Sequence, residues 1–328
     1  MNYNEPSIKK KREEVFSKKK RKQTTASAII FRIVLILICA VIVSGAGFLY
    51  GSFRGIIDSA PKEFSLAPKY SATIVYDDDN KQVQQLSDYS SNRIPVAYEQ
   101  IPDNLKNAFI SIEDERFYEH DGIDFKGILR ALWTDIRNGS TSQGASTLTQ
   151  QLIKNNVFEA GGETNIIAKV KRKIQEQYLA IIAEKKYNKE DILTNYLNTI
   201  NLGKGNLGVE AASKYYFGKS VNELTLSECA VLAGITKNPT FLNPVDYPED
   251  NDARRKLILK KMYQLNYISD TEYQSALEDK VYARIANKTA QGRKNSVYSY
   301  FTDAVITKVV SDLQEQKGYT QSQAYQLV

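Results

Sequence analysis

Three segments carry side chains whose types and spacing can do chemistry. The first, Glu113-Asp114-Glu115-Arg116-Phe117-Tyr118-Glu119-His120-Asp121-Gly122, packs five acids into ten residues after an apolar run. Read as a helix end, it places Glu113 and Phe117 on one face at i,i+4, with Gly122 closing the turn. A carboxylate beside Ile112 and Phe117 loses part of its hydration, the environment of a general base. The plain alternative is a solvated acidic helix terminus. His120, the chain's single histidine, reads as a hydrogen-bonding residue rather than a catalyst, and it excludes a histidine-rich metal site.

The second segment, Gln143–Asn155, sets small residues before a Ser146-Thr147 helix cap and then projects Gln150, Gln151 and Lys154 from the first turns. Helix N-terminal amides attract anions, and amide side chains bind sugar hydroxyls or phosphates. The third, Lys169–Glu184, gathers Lys169, Arg172 and Lys173 within about one helical turn, with Glu176 a turn further on. Cations so placed suit a diphosphate leaving group. Each segment also has a structural reading: an ordinary capped helix for the second, and a surface helix with an Arg172–Glu176 pair for the third.

The elements that position these groups read as mainly helical. Leu105, Ala108, Phe109 and Ile112 follow Pro102 at helical spacing, and Phe125, Ile128, Leu129, Leu132, Trp133 and Ile136 repeat the pattern. Further helices are expected at 146–155, 166–184, 189–198, 209–216, 225–234 and 250–265. Residues 71–76 and 81–86 flank the polar turn 77–80 as a small β-hairpin. Gly161-Gly162 marks a flexible loop, and 237–248, with three prolines, an irregular connector.

Upstream, Ile33–Gly51 runs 19 residues without a charge, enough for one bilayer crossing. A cleaved signal peptide ending near Ser44-Gly45-Ala46 is the rival reading, but the basic arm and apolar run are both long for one. Residues 1–32 hold ten Lys/Arg against three Glu, whereas the rest holds 34 against 35 acids. The basic arm therefore reads as a disordered cytoplasmic tail that orients the anchor and sends the remainder outside. A nucleic-acid partner, which needs its positive charge on the folded domain, is disfavoured. Cys39 and Cys229 lie too far apart in pattern to suggest a disulfide or a metal site.

The expected division is tail 1–32, anchor 33–51, juxtamembrane connector 52–69, main domain 70–290, and 291–328 as the start of a further domain.

In order, EDERFYEHDG, QGASTLTQQLIKN, RKIQEQYLAIIAE, KEDILTNYLNTINLGKGNLGVEAASKYYFGK and ARRKLILKKM resemble the five-motif series of glycosyltransferase family 51. These are the peptidoglycan glycosyltransferases that form the N-terminal half of class A, bifunctional penicillin-binding proteins. The resemblance spans roughly 70–270 and includes the stretch LAGITKNPTFLNP. It implies a lysozyme-like helical fold with a membrane-facing jaw, and polymerisation of lipid II into β-1,4 glycan with release of undecaprenyl diphosphate.

By the same resemblance, Glu113 is the general base and Glu176 the second essential acid. Gln150, Gln151, Lys154, Arg172 and Lys173 become contacts to diphosphate and sugar, with Ser146, Thr147 and His120 beside them. Implied partners are lipid II, the growing strand, the membrane and a cell-wall synthesis complex. A divalent cation, Mg²⁺ or Mn²⁺, is implied without a dedicated site in the sequence. The helix at Phe125–Trp133, with Ile123, is either lipid-facing or simple core packing.

The chain departs from the pattern at Thr194, where the fourth motif usually has Glu, so a supporting salt bridge there is in doubt. Ser7-x-x-Lys10 and Ser17-x-x-Lys20 match a Ser-x-x-Lys spacing but sit in the basic tail, and Lys288-Thr289-Ala290 is not Lys-Thr-Gly. No transpeptidase role follows from them. A lytic enzyme on glycan strands and an inactive lipid II-binding scaffold are the two competing functions.

Overall fold

A computed structural model describes residues 5–68, 73–79, 82–86, 92–138, 144, 146–158, 165–289, 300–320 and 324. The chain divides into two compact units, Met1–Ala60 and Pro61–Val328.

The first unit is the helix α1, Glu5–Asp58. Its segment Ala28–Asp58 is long and apolar enough to cross a membrane, by length and composition. Two expectations need correction here. The basic arm is helical from Glu5 and not a disordered tail, and the helix continues past Gly51 to Asp58, into the first part of the expected connector 52–69. Lys, Arg, Glu and Ala are good helix formers, and no proline falls between Pro6 and Pro61 to stop the turn.

The second unit opens with the antiparallel hairpin β1 (Thr73–Tyr76) and β2 (Gln82–Leu86), as the polar turn predicted. The hairpin's expected outer residues 71, 72, 80 and 81 lie outside the described residues. The short strand β3 (Asn92–Arg93) follows. Helices then run in succession: α2 (Asp103–Glu113), α3 (Phe125–Asn138), α4 (Leu148–Asn156), α5 (Ile166–Lys186) and α6 (Lys189–Thr199). After β4 (Asn206–Leu207), which pairs in parallel with β3, come α7 (Val209–Phe217), α8 (Leu226–Gly234) and α9 (Pro248–Gln264). The series ends with α10 (Asp270–Glu278), α11 (Val281–Thr289) and α12 (Tyr300–Lys317). The unit is mainly α with a small β element, as the hydrophobic periodicity indicated.

The core forms where α2 packs on α8 and α9, and where α4 packs on α5 and α6. Leu105, Phe109 and Ile110 of α2 are fully buried, as are Leu152 and Ile153 of α4 and Tyr196 of α6. Burying side chains of this size contributes about 1.5–3 kcal/mol each. α9 begins two residues earlier than expected because Pro248, with its fixed φ and missing N–H, suits the first turn. Helices α10 and α11 were not anticipated. Their one clear signal is the capping box Ser269-x-x-Glu272, in which each residue binds the other's backbone N–H. The Gly161-Gly162 loop lies outside the described residues, as does all but Ala324 of the segment after Thr320.

One glycine fixes how the acidic segment lies on α5. Gly122 has φ +88°, and a Cβ there would sit 2.7 Å from the carbonyl carbon and oxygen of Ala180. Gly122→Ala should therefore cost about 1–3 kcal/mol in backbone strain alone, with the clash in addition. Urea unfolding of the two chains in detergent tests this, and an unchanged midpoint would contradict the assigned contact.

Candidate active site

Helix α2 ends at Glu113, not within the acidic run that follows. Asp114, the next residue, has φ −158° and ψ 71°, outside the helical region. Glu113 and Phe117 therefore do not share a helix face, contrary to the i,i+4 expectation. The helix stops because the Asp114 side chain is needed elsewhere. Its carboxylate accepts from His120 Nε2 at 3.0 Å and from the backbone N–H of Leu148 at 3.0 Å. It thus ties the end of α2 to the first turn of α4, where the helix dipole favours a negative charge.

This tie sets Glu113 opposite α4. Gln151 Nε2 donates to Glu113 Oε2 at 2.9 Å, and Thr236 Oγ1 lies 2.5 Å from Glu113 Oε1. Behind Gln151, the hydroxyl of the fully buried Tyr196 donates to Gln151 Oε1 at 3.4 Å. Burial first, and then the charges of Glu113 and Asp114, push the Tyr196 phenol well above its ordinary range, so it remains a donor. That bond fixes the Gln151 amide with its NH₂ toward the carboxylate.

The adjacent residue, Gln150, faces the other way. Its Nε2 donates to Gly122 O at 3.2 Å and its Oε1 accepts from Lys173 Nζ at 3.2 Å. Lys173 also donates to Ser146 Oγ at 2.9 Å and to Glu176 Oε2 at 3.2 Å, so the three protons of its ammonium each have an acceptor. Arg172 Nη1 pairs with the other oxygen of Glu176. Glu176 is 1% exposed, while the Lys173 side chain is 41% exposed. A buried carboxylate thus holds two cations whose outer surfaces remain accessible.

The positions singled out in the sequence separate by environment. Glu113, Gln151, Ser146, Arg172 and Lys173 are half-buried polar groups. Thr147 is a helix cap: its hydroxyl donates to Gly122 O at 2.8 Å and accepts from Gln150 N at 3.2 Å. Both ring nitrogens of His120 are engaged, Nε2 with Asp114 and Nδ1 as acceptor from Gly122 N at 3.2 Å. Lys154 is exposed in the last turn of α4 and joins neither network among the described residues. Thr194 bonds back to Glu190 O at 2.7 Å, and the ion pair of this region is instead Lys189 with Glu184 at 2.9 Å.

Glu113, Ser146, Thr147 and Gln151 open onto one cavity of about 610 Å³. Its lining adds Lys237, Arg254 and Lys261, none of them singled out in the sequence reading. Arg254 Nε is buried without a hydrogen-bond partner among the described residues, and burial lowers its pKa while the charge of Glu113 opposes that shift. The sequence signal for Arg254 and Lys261 was the segment ARRKLILKKM; Thr236 and Lys237 had only the LAGITKNP stretch.

The wall formed by α3 explains its amphipathic pattern. Gly127, Arg130, Ala131 and Thr134 line the cavity at i, i+3, i+4 and i+7. The opposite face carries Phe125, Leu129, Leu132, Trp133 and Ile136, all exposed, Ile136 at 78%. Simple core packing does not account for this helix. Asp124 starts it, accepting from Gly127 N at 2.8 Å while paired with Arg116.

Among the described residues no group of three His, Cys, Asp or Glu side chains is placed to hold a metal ion. The cavity's carboxylates are committed elsewhere: Glu113 to Gln151 and Thr236, Glu115 to Arg130 and Lys261, and Asp124 to Arg116.

With this geometry in view, the comparisons with known proteins define the class. The transglycosylase family matches residues 79–263, more than half of the chain. Penicillin-binding protein 1A of Clostridium botulinum is 41% identical over 78% of this chain and 31% of its own length. That of Clostridium tetani is 42% identical over 77% of the chain and 32% of its length. A crystal structure of penicillin-binding protein 1A from Haemophilus influenzae aligns with 77% of this chain and 26% of its own, at 26% identity and a TM-score of 0.38. The chain belongs to the transglycosylase family. It spans about a third of the length of the curated relatives it matches.

The ionic wall of the cavity has a pH signature. Burial opposes ionisation of Glu115, but the hydrogen bond and charge of Arg130, with Lys261, outweigh it and hold the carboxyl below its usual range. Burial likewise opposes ionisation of Asp124, and Gly127 N–H and Arg116 reverse it. A carboxyl depressed in the fold contributes stability above its unfolded pKa and loses it as pH falls through the folded value. Glu115→Gln should therefore melt below wild type at pH 7, with the gap narrowing below pH about 4. Thermal melts across pH 3–7 test this; a gap independent of pH would contradict it.

Proposed function

We propose that this chain is a peptidoglycan glycosyltransferase that polymerises lipid II, with Glu113 as general base. The observation that carries this reading is the pairing of two networks on α4. Gln151 orients a half-buried carboxylate, and Gln150 and Ser146 meet a cation set held by Glu176. Family membership supports the reaction class, and the name of the relatives, penicillin-binding protein 1A, fits it.

In the proposed reaction, Glu113 takes the proton of the acceptor sugar's 4-hydroxyl as that oxygen attacks the anomeric carbon of the growing strand. The new C–O bond forms as the bond to the diphosphate breaks on the opposite side, so an α-linked donor becomes a β-1,4 linkage. Undecaprenyl diphosphate leaves with both electrons of the broken bond, and Glu113 returns its proton to solvent. Arg172 and Lys173 neutralise the charge that develops on the leaving oxygen. A diphosphate leaves without protonation when cations meet it, so one base suffices, whereas a glycosidase needs a protonated carboxyl as well.

Glu176 fits a positioning role here. It is buried between Arg172 and Lys173 and fixes where their charge is presented. Lys173 already has three acceptors, so binding phosphate requires it to exchange one of them; Ser146 Oγ is the neutral acceptor at the cavity. The exposed apolar face of α3 fits contact with lipid, and Ala28–Asp58 fits a single membrane crossing. The positive arm supports a reading with the N-terminus in the cytoplasm and the catalytic unit outside, where a cell-wall synthesis complex would meet it. No step is assigned to a divalent cation.

The test is polymerisation of labelled lipid II by the chain in detergent, with and without EDTA. Glu113→Gln should reduce turnover by about 10²-fold or more while lipid II binding persists. Retained polymerisation by Glu113→Gln would overturn the assignment of the base. Release of fragments from purified cell wall, without lipid-linked substrate, would establish a lytic enzyme instead. Binding of lipid II by wild type with no turnover would establish a scaffold.

A further inference from the structure

We propose that Thr236 is a positioning residue for the base: its hydroxyl orients Glu113 and offers a partner to that carboxyl in both of its charge states. The inference rests on the glycosyltransferase reading and adds to it a residue outside the five motifs, in the LAGITKNPTFLNP stretch.

Thr236 lies just beyond the last turn of α8, far in sequence from the acidic segment. Its Oγ1 is 2.5 Å from Glu113 Oε1 and 2.9 Å from the carbonyl oxygen of Ala233. A hydroxyl has one proton, so it cannot donate to both oxygens at once. Ionised Glu113 takes that proton, because a bond to a charged oxygen is the stronger of the two. Once Glu113 has accepted a proton from the sugar hydroxyl, its own O–H can donate to a lone pair of Thr236 Oγ1. The threonine proton then turns to Ala233 O, which is already in place.

With that proton on Oε1, the switch needs rotation of the carboxyl O–H about its C–O bond and of the threonine hydroxyl about Cβ–Oγ, with no heavy atom displaced. Gln151 cannot do the same, because its Nε2 only donates and its Oε1 is held by Tyr196. Arg254 and Lys237 line the cavity beside Glu113, and they supply charge without a proton that reverses direction. Among the described residues each oxygen of Glu113 accepts one hydrogen bond, which leaves each a second lone pair for a substrate hydroxyl. Thr236 is neutral, so replacing it leaves the cavity's net charge unchanged and isolates the effect of orientation.

The experiment measures initial rates of lipid II polymerisation against substrate concentration for the whole 328-residue chain in detergent. Thr236→Val keeps the shape and removes the hydroxyl, and Thr236→Ser keeps the hydroxyl and removes the methyl. Thr236→Val should lower kcat about tenfold or more with KM within about twofold, the loss expected for one bond to a charged group. Thr236→Ser should stay within about threefold of wild type. Circular dichroism melts establish folding, and Thr236→Ala replaces the valine variant if that one does not fold.

A wild-type kcat in the variant lacking the hydroxyl overturns the inference. So does Thr236→Ser being as slow as Thr236→Val, because the loss would then come from packing. A loss confined to KM overturns it as well. Wild-type chain without turnover overturns the glycosyltransferase reading and the inference together, a result distinct from all of these.

Discussion

The Asp114 carboxylate is the constraint on which the site depends. It accepts the N–H of Leu148 at the start of α4 and the Nε2 of His120, and by doing so ends α2 one residue after entering the cavity. A buried carboxylate needs such donors, because removing its charge from water without them is costly. Both donors are met only when α4 abuts the end of α2, so burial of one acid sets the register between two helices. The consequence for Glu113, the residue before it, is that Gln151 on the first turns of α4 falls within hydrogen-bond distance.

The same junction also orders the cationic side. His120 Nδ1 accepts from Gly122 N, and the Gly122 carbonyl accepts from both Thr147 and Gln150. Gly122 can approach α5 only because it lacks a side chain. Lys189 Nζ closes the arrangement, donating to His120 O at 2.6 Å and to Glu184 at 2.9 Å while lying over the Phe117 ring at 4.5 Å. His120 and Thr147 thus matter by holding backbone in place, while Glu113, Ser146 and Gln151 bring half-buried polar groups to the cavity. Placing Glu176 between two cations follows the same logic: the buried partner gives up solvent so that Arg172 and Lys173 present charge in a fixed direction.

Much of this was legible in the sequence, and the remainder was not for identifiable reasons. The helices of the second unit follow a 3-and-4 hydrophobic spacing that reads directly, and the hairpin reads from its polar turn. The ends of α2 and α1 did not read correctly. Glu113–Gly122 looks like a continuing helix by composition, yet a tertiary demand on Asp114 stops it, and no local signal records that demand. The apolar stripe of α3 was ambiguous because periodicity cannot say which face is buried; here the polar face turns to the cavity and the apolar one to the outside. Gln151 was found as a candidate, but its link to Tyr196 joins positions 45 residues apart. Thr236, just beyond α8, and Arg254 of α9 are distant in sequence, and only the packing of α8 and α9 on α2 brings them to Glu113.

The central proposal is geometric: Glu113 at the cavity serves the sugar end of the transfer, and Arg172 and Lys173, joined to the cavity wall through Ser146, serve the diphosphate end. It is tested most directly by a crystal structure of this chain with an unreactive lipid II analogue. The account predicts a Glu113 oxygen within about 3.2 Å of the acceptor sugar's 4-hydroxyl, with donor diphosphate oxygens on Arg172 and Lys173. An acceptor hydroxyl with no carboxylate in reach, or a diphosphate held away from those two cations, would contradict it.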